Sequence, residues 1–256
     1  MPCLRRRIPG LPRNSTGAYL RRLRRVLRRR RRRALCRLRW LMPGAVWAID
    51  GTFLDRRVGR RGRRALVVVE LQSRKLLKLK SVRGECIDEV RRCLQELVLQ
   101  HGAPLVLKLD NGSAFVSAAL AEWCATHGIT LLHSPVRRPS YNGTCEVSGR
   151  WGKHRAYCAA RARGAEQLEQ HDLDHAVTFR GVMNRLSDDV RARFQAVVAE
   201  QLAVVRSEQG LADGQLLGDD AKRSLARVAV RRALELCHIL TIEGREFHQC
   251  LSASAA

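Results

Sequence analysis

A chain of 256 residues with 45% hydrophobic content can bury a sizeable core, in one domain with an appendage or in two small ones. Its 48 Lys and Arg against 24 Asp and Glu leave a net charge of +24, and two thirds of that excess sits in residues 1–40, which hold 16 arginines and no acid. No apolar run approaches the roughly 18 residues of a membrane span, and arginines stand where a signal peptide has its apolar stretch, so neither a membrane-embedded nor a secreted protein is expected. We expect a soluble, cytoplasmic protein whose positive field favours polyanions, nucleic acid above all.

The first segment, residues 1–42, is an Arg-rich arm. In "YLRRLRRVLRRRRRRALCRLRWL", Leu20, Leu23, Leu27 and Leu38 are spaced in a partly helical way among unshielded like charges. Two readings stand side by side: a solvated, disordered tail, or a segment that becomes helical when Arg28, Arg29, Arg30 and their neighbours meet phosphates.

Past Pro43-Gly44 the texture changes. "AVWAIDGTF", "ALVVVELQ" and "KLLKLK" are short, apolar and β-branched or alternating, which predicts three consecutive strands, the last with Leu77 and Leu79 on one face and Lys78 and Lys80 on the other. "ECIDEVRRCLQELVLQHG" switches to helical period, with Ile87, Val90, Leu94, Leu97 and Val98 on one stripe and Gly102 as its stop. A strand in "PLVLKL", a helix in "VSAALAEWCATHG" closed by Gly128, a strand in "ITLLHS", a Pro-containing loop and a helix from about Gly143 complete the alternation. The order β-β-β-α-β-α-β implies an α/β fold, a mixed sheet with helices on its faces, over residues 43–163. Residues 164–256 read as mostly helical, with two long helices, the second opened by Asp219 and Asp220, and a short hairpin in "LTIEGREF".

The nine cysteines form no C-x-x-C pair, so reduced thiols are expected in preference to disulfides or structural zinc. His171 and His175 stand at i,i+4 without the glutamate of an H-E-x-x-H motif, and neither a G-x-S-x-G elbow nor a phosphate-cradling G-x-x-x-x-G-K-[ST] occurs.

Carboxylates carry more information. Asp50 in "VWAIDGTF" and Asp110 in "LVLKLDNG" lie in or at the end of apolar strands, where desolvation disfavours their charged form unless a cation or a turn uses them. Asp110-Asn111-Gly112 can make an Asx turn, whereas Thr52 and Phe53 continue the strand past Asp50. A third acid, Glu146, falls just inside the last helix of the alternating region. Three such carboxylates suit hard cations such as Mg²⁺, which takes oxygen ligands and is shared with substrate phosphate. Two ions about 4 Å apart then serve in-line phosphoryl displacement.

"WAIDGT", "DNGSAFVS", "HGITLLHSP" and "RPSYNGTCE", with 35 residues between Asp110 and Glu146, resemble the catalytic core of retroviral integrases and bacterial insertion-sequence transposases, the D,D-35-E family. The resemblance spans about residues 43–163. It implies a ribonuclease H-like five-stranded mixed sheet flanked by helices, with Asp50, Asp110 and Glu146 as catalytic metal ligands for Mg²⁺ or Mn²⁺, two ions per site. It implies DNA end cleavage and strand transfer, on transposon ends and target DNA as partners, by a homo-oligomer in a nucleoid-associated setting, with no small-molecule substrate.

Lys153 matches a basic position of the bacterial transposases. Helical spacing puts Glu146, Arg150, Lys153 and Tyr157 on one face. Arg150 and Lys153 are expected on DNA phosphate, with a plain Glu146–Arg150 i,i+4 pair as the competing account. Arg137 and Arg138 in the Pro-containing loop are expected to face DNA, Tyr141 either stacks on a base or packs, and Asn142 marks the approach to the helix. Such transposases carry an N-terminal helix-turn-helix region where this chain has its Arg-rich segment. A second expectation is therefore a truncated, inactive remnant that binds DNA non-specifically.

Overall fold

The computed structural model describes residues 17, 20, 22–24, 37–54, 64–82, 84, 86–135, 139–165, 167–212 and 215–243. Arg28, Arg29, Arg30, Arg137 and Arg138 lie outside them. The chain divides into two compact units, residues 1–39 with 242–256, and Trp40–Thr241; the second holds the sheet.

Five strands carry that sheet: β2 (Val46–Phe53), β3 (Arg64–Glu70), β4 (Leu76–Val82), β5 (Val106–Leu109) and β6 (Thr130–His133), in the order β4-β3-β2-β5-β6. Consecutive β2, β3 and β4 run antiparallel, as short connections allow, while β2–β5 and β5–β6 are parallel through the crossover helices α1 (Ile87–His101) and α2 (Ala118–Thr126). The helices end where glycine permits a left-handed turn, at Gly102 (φ 81°) and Gly128 (φ 63°). Trp47, Leu66, Leu107 and Leu109 pack with Val90, Leu94, Leu97 and Phe115 into the main core between the sheet and α1 and α2.

One face assignment differs from the alternation expected in β4. Val68 pairs with Lys78 and Val69 with Leu76, so Leu77 is the extra residue of a bulge. Leu77 joins the core that holds α1, whereas Leu79 touches the other side, 3.4 Å from where a Cβ would stand on Gly152. Lys78 and Lys80 do share a face, and both pair with Glu96 of α1.

The other side of the sheet is covered by α3 (Gly143–Ala162), whose buried residues Gly149, Gly152, Ala156 and Ala160 are all small. A Cβ on Gly149 would stand 3.1 Å from Val67 and one on Gly152 2.7 Å from Leu76, so this stripe lets the helix lie directly on β3 and β4. The short α4 (Gln170–His175) follows, then α5 (Asp188–Glu208) and α6 (Asp219–Leu236), each with acids in its first turn. Arg191 of α5 donates to the carbonyls of Ala103 (2.7 Å), Pro104 (2.9 Å) and Gly128 (2.9 Å), the backbone just past α1 and α2. The helical segment after α3 is thereby fastened to the sheet's crossover turns.

Arg37–Trp40, at the end of the Arg-rich stretch, is a strand, β1, and it pairs with β7 (Leu240–Glu243). Of the hairpin expected in "LTIEGREF", Leu240–Glu243 is a strand, while residues 244–247 lie outside the described residues.

Candidate active site

Val46, Trp47 and Ala48 of β2 pair with Val106, Leu107 and Lys108 of β5 in parallel. Continuing that register two residues along each strand brings Asp50, inside β2, level with Asp110, just past the carboxyl end of β5, on neighbouring strands roughly 4.8 Å apart. Ligands of open α/β sheets bind at such ends. Each carboxylate is half-buried and oriented by its own backbone: Asp50 Oδ1 accepts from Gly51 N and Asp110 Oδ1 from Gly112 N, both at 2.9 Å.

The Asx turn at Asp110 is therefore real, and it sets the carboxyl group's direction. Asn111 donates to the Ser134 carbonyl at 2.8 Å, the Ser134 hydroxyl donates to the Leu109 carbonyl at 3.0 Å, and His133 Nδ1 lies 3.3 Å from the Asp110 carbonyl, tying the turn to the end of β6. A Cβ on Gly112 would sit 3.1 Å from Asp110 Oδ1 and 3.3 Å from the Phe115 ring, so only glycine fits without pressure on the carboxylate.

Glu146 is exposed in the first turn of α3. Beside it Cys145 is buried, and its thiol is pushed up to about 12, by burial first and then by Asp50 and Glu146, with Lys108 opposing. The two acids thus act on one buried point. Among the described residues, however, no three His, Cys, Asp or Glu side chains are gathered closely enough to hold a metal ion. The donor set is all carboxylate oxygen, the chemistry Mg²⁺ and Mn²⁺ take, and Mg²⁺ characteristically binds one or two protein carboxylates and completes its shell with water and substrate phosphate. Asp50 and Asp110 fit that pattern as a pair, with Glu146 available from the helix.

Lys108, which the sequence reading passed over, is the most constrained cation of the site. It is only 5% exposed, and its ammonium donates to the Tyr141 carbonyl and to Asn142 Oδ1 (2.8 Å) while lying 4.3 Å from the centre of the Tyr141 ring. Burial pushes its pKa down to about 8, opposed by Cys145 and Asp50. Since the Cys145 thiol stays protonated near neutrality, Asp50 supplies the opposing field. Lys108 therefore links the strand of Asp110 to the two residues immediately before the helix of Glu146. The only sequence signal was a lysine in an otherwise apolar run.

The remaining expected residues are placed as follows. Tyr141 packs under Lys108. Asn142 is buried, its amide nitrogen without a hydrogen-bond partner among the described residues. Arg150 is exposed on α3. Lys153 donates to Thr52 Oγ1 (2.8 Å) and the Phe53 carbonyl (3.0 Å), and Tyr157 donates to the Leu54 carbonyl, so both hold the end of the strand that carries Asp50. A basic row also comes from α6, where no site was expected: burial raises the Tyr141 phenol while Arg227 and Arg231 pull it down, and burial lowers His133, with Arg223 and Arg227 adding to that. Arg223, Arg227 and Arg231, at i,i+4,i+8, thus lie along the Asp110 side of the sheet.

Comparison with known proteins then shows what this fold is similar to. The family model described as "Integrase core domain" matches residues 41–139. Over that stretch the chain is similar to the integrase core family. A curated relative, the insertion element IS407 uncharacterized 31.7 kDa protein of Burkholderia multivorans (strain ATCC 17616 / 249), is 30% identical over 138 residues, covering 52% of this chain and 49% of that protein. The chain spans about half the length of that relative. Among solved structures, the simian T-cell lymphotropic virus intasome in complex with PP2A regulatory subunit B56 gamma superposes with a TM-score of 0.51 at 21% identity, over 61% of this chain and 54% of that one. The HTLV-2 integrase catalytic core domain in complex with magnesium is 20% identical with a TM-score of 0.45, over 54% of this chain and 86% of that one. The mixed five-stranded sheet of the integrase core is thus the ribonuclease H-like arrangement. Among the described residues no helix is long and apolar enough to cross a membrane.

Proposed function

We propose that this chain is a DDE-type polynucleotidyl transferase that cleaves DNA ends and joins them to target DNA. The observation that carries this reading is the parallel pairing that sets Asp50 level with Asp110 inside the matched segment. Asp50, Asp110 and Glu146 are the ligands for Mg²⁺ or Mn²⁺, two ions when DNA is bound. Such ions activate the attacking oxygen and stabilise the leaving one.

The chain's own groups do the rest. Gly51 and Gly112 amides aim the two aspartates, Lys108 holds the turn ahead of Glu146, and Lys153 holds the end of β2. Arg150, Lys153, Arg137, Arg138 and the Arg28–Arg30 cluster supply phosphate contacts, with Tyr141 and Asn142 beside them and the α6 arginines adding positive field. In this reading residues 1–42 are a basic arm, 43–163 the catalytic core and 164–256 a helical region that braces it, the protein assembles as an oligomer on DNA ends, and it acts at the nucleoid. The simian virus protein was solved as an intasome, which supports the assembly.

A second reading, a remnant that binds DNA without turnover, draws on the absence of a three-donor cluster among the described residues. The deciding experiment is Mg²⁺- or Mn²⁺-dependent nicking and joining of labelled DNA bearing the element's ends, with Asp110→Asn alongside. Activity in the parent and its loss in a folded variant supports the enzyme; equal activity in both sinks the carboxylate assignment. Salt-sensitive binding without turnover in either protein favours the remnant.

A further inference from the structure

The outer face of α3 carries a feature that the carboxylate site does not use. Val147 and Trp151, one helical turn apart, are 51% and 62% exposed. With Thr144, Ser148 and Arg155 they form one wall of a groove of about 470 Å³, whose other wall is Arg74, Leu76 and Thr178. The volume is in the range of small-ligand sites.

That second wall is fixed. Thr178 accepts from Leu76 N through its hydroxyl at 2.7 Å, and the backbone amides of Thr178 and Phe179 donate to the Leu76 carbonyl at 3.1 and 3.2 Å, so the segment is sewn to the start of β4. Arg155 is held by donation to the Ala176 carbonyl at 2.6 Å. Trp151 meets the His154 ring edge-on at 6.1 Å and keeps most of its surface in solvent.

The lining chemistry selects the occupant. A protein partner's apolar face would meet only Trp151 and Val147, ringed by arginine, threonine and serine. Two guanidinium groups, no acidic residue and one exposed indole suit a ligand with a flat π-face joined to an anion. We propose that this groove receives the base of an unpaired DNA nucleotide, stacked on Trp151, with an adjoining phosphate on Arg74 and Arg155. The groove starts at Gly143 and Thr144, and Val147 follows Glu146 directly, about 100° around the helix. An unpaired nucleotide beside the reacting strand is therefore within its reach. The inference rests on the DNA reading above and deepens it by separating a base subsite from the phosphate contacts.

The test uses the full chain as parent, Trp151→Ala and Trp151→Phe, with fluorescently labelled oligonucleotides: a single strand, its intact duplex, and that duplex with one unpaired nucleotide. Removing the indole should weaken binding of the single strand and of the interrupted duplex by about tenfold, the scale of one base–aromatic stack. Intact duplex binding should be unchanged, and Trp151→Phe should recover most of the loss. Equal loss on all three DNAs, or none, overturns the proposal and leaves the DNA reading standing. A shift in oligomeric state by light scattering with DNA affinity untouched overturns it too, and makes the groove a self-contact. Failure of the parent to bind any DNA overturns the DNA reading and this subsite together.

Discussion

Two carboxylates at strand ends of the same sheet, Glu70 and Asp110, have opposite surroundings. Glu70 ends β3 and is 1% exposed, yet it is saturated: Gly44 N at 3.2 Å, Gln72 N at 3.0 Å, Ser73 N at 2.6 Å and the Ser73 hydroxyl at 2.5 Å all donate to it. Asp110 follows β5, is half-exposed, and accepts one side-chain hydrogen bond, from Gly112 N. A carboxylate that serves the fold is consumed by protein donors. One that leaves lone pairs toward solvent at the carboxyl end of a parallel strand has room for the cation proposed above.

The sharpest way to break this contrast is to remove charge from both ends. Glu70→Gln turns an acceptor of four donors into an amide that presents its own N–H groups to some of them. We expect a loss of about 2–3 kcal/mol in urea unfolding, with nicking retained in the protein that remains folded. Asp110→Asn should leave the unfolding midpoint close to the parent while abolishing nicking. If Glu70→Gln proves as stable as the parent, or Asp110→Asn is the less stable of the two, the distinction fails.

Lys108→Met tests the link between the strand of Asp110 and the turn that precedes the helix of Glu146. A methionine of similar length fills the space but leaves the Tyr141 carbonyl and the buried Asn142 Oδ1 without their donor, so we expect a loss of about 1–3 kcal/mol in urea unfolding. Cleavage should fall by about tenfold or more as the turn at Tyr141 and Asn142 loses its anchor. Lys108→Arg, which keeps the charge, should retain more activity than Lys108→Met in single-turnover assays.

Gly112→Ala asks how closely Asp110 is aimed. The added methyl group meets the carboxylate oxygen at 3.1 Å, so we expect a several-fold loss of nicking that rising Mn²⁺ partly restores. An unchanged rate at every metal concentration would mean that the turn yields at no cost.

The smallest effect concerns pH. His101 is 3% exposed between the Trp47 and Phe179 rings, and burial lowers its pKa. With the folded value below the unfolded value of about 6.5, the unfolded state takes up the proton first as pH falls. Stability is therefore full above that pH and declines through the window below it. His133, also lowered by burial, adds to the slope. His101→Phe should flatten the curve of unfolding midpoint against pH without removing it; an identical slope would show that His101 titrates alike in both states.

The strands and crossover helices were legible because each carries one period over enough residues, and the glycine stops at Gly102 and Gly128 adopt the left-handed turns their position suggested. The alternation failed at Leu77, since a bulge needs no distinctive residue and is decided by what the neighbouring strand and helices must bury. The Asp50–Asp110 pair was readable as chemistry, but strand-end carboxylate alone would have flagged Glu70 equally; only the donors around each one separate them. Lys108 escaped notice because its significance lies with Tyr141 and Asn142, more than thirty positions away in the chain. The α6 arginines were hidden for the same reason: their neighbours His133 and Tyr141 belong to another part of the sequence.

The clamp made by Arg191 also orders events in time. A ribosome releases all five sheet strands by His133 and the helix of Glu146 by Ala162, while the Arg191 guanidinium that donates to the Ala103, Pro104 and Gly128 carbonyls emerges later still. During synthesis those three carbonyls must therefore be hydrated. The sheet's strands are thus synthesised before the residue that locks its crossover turns.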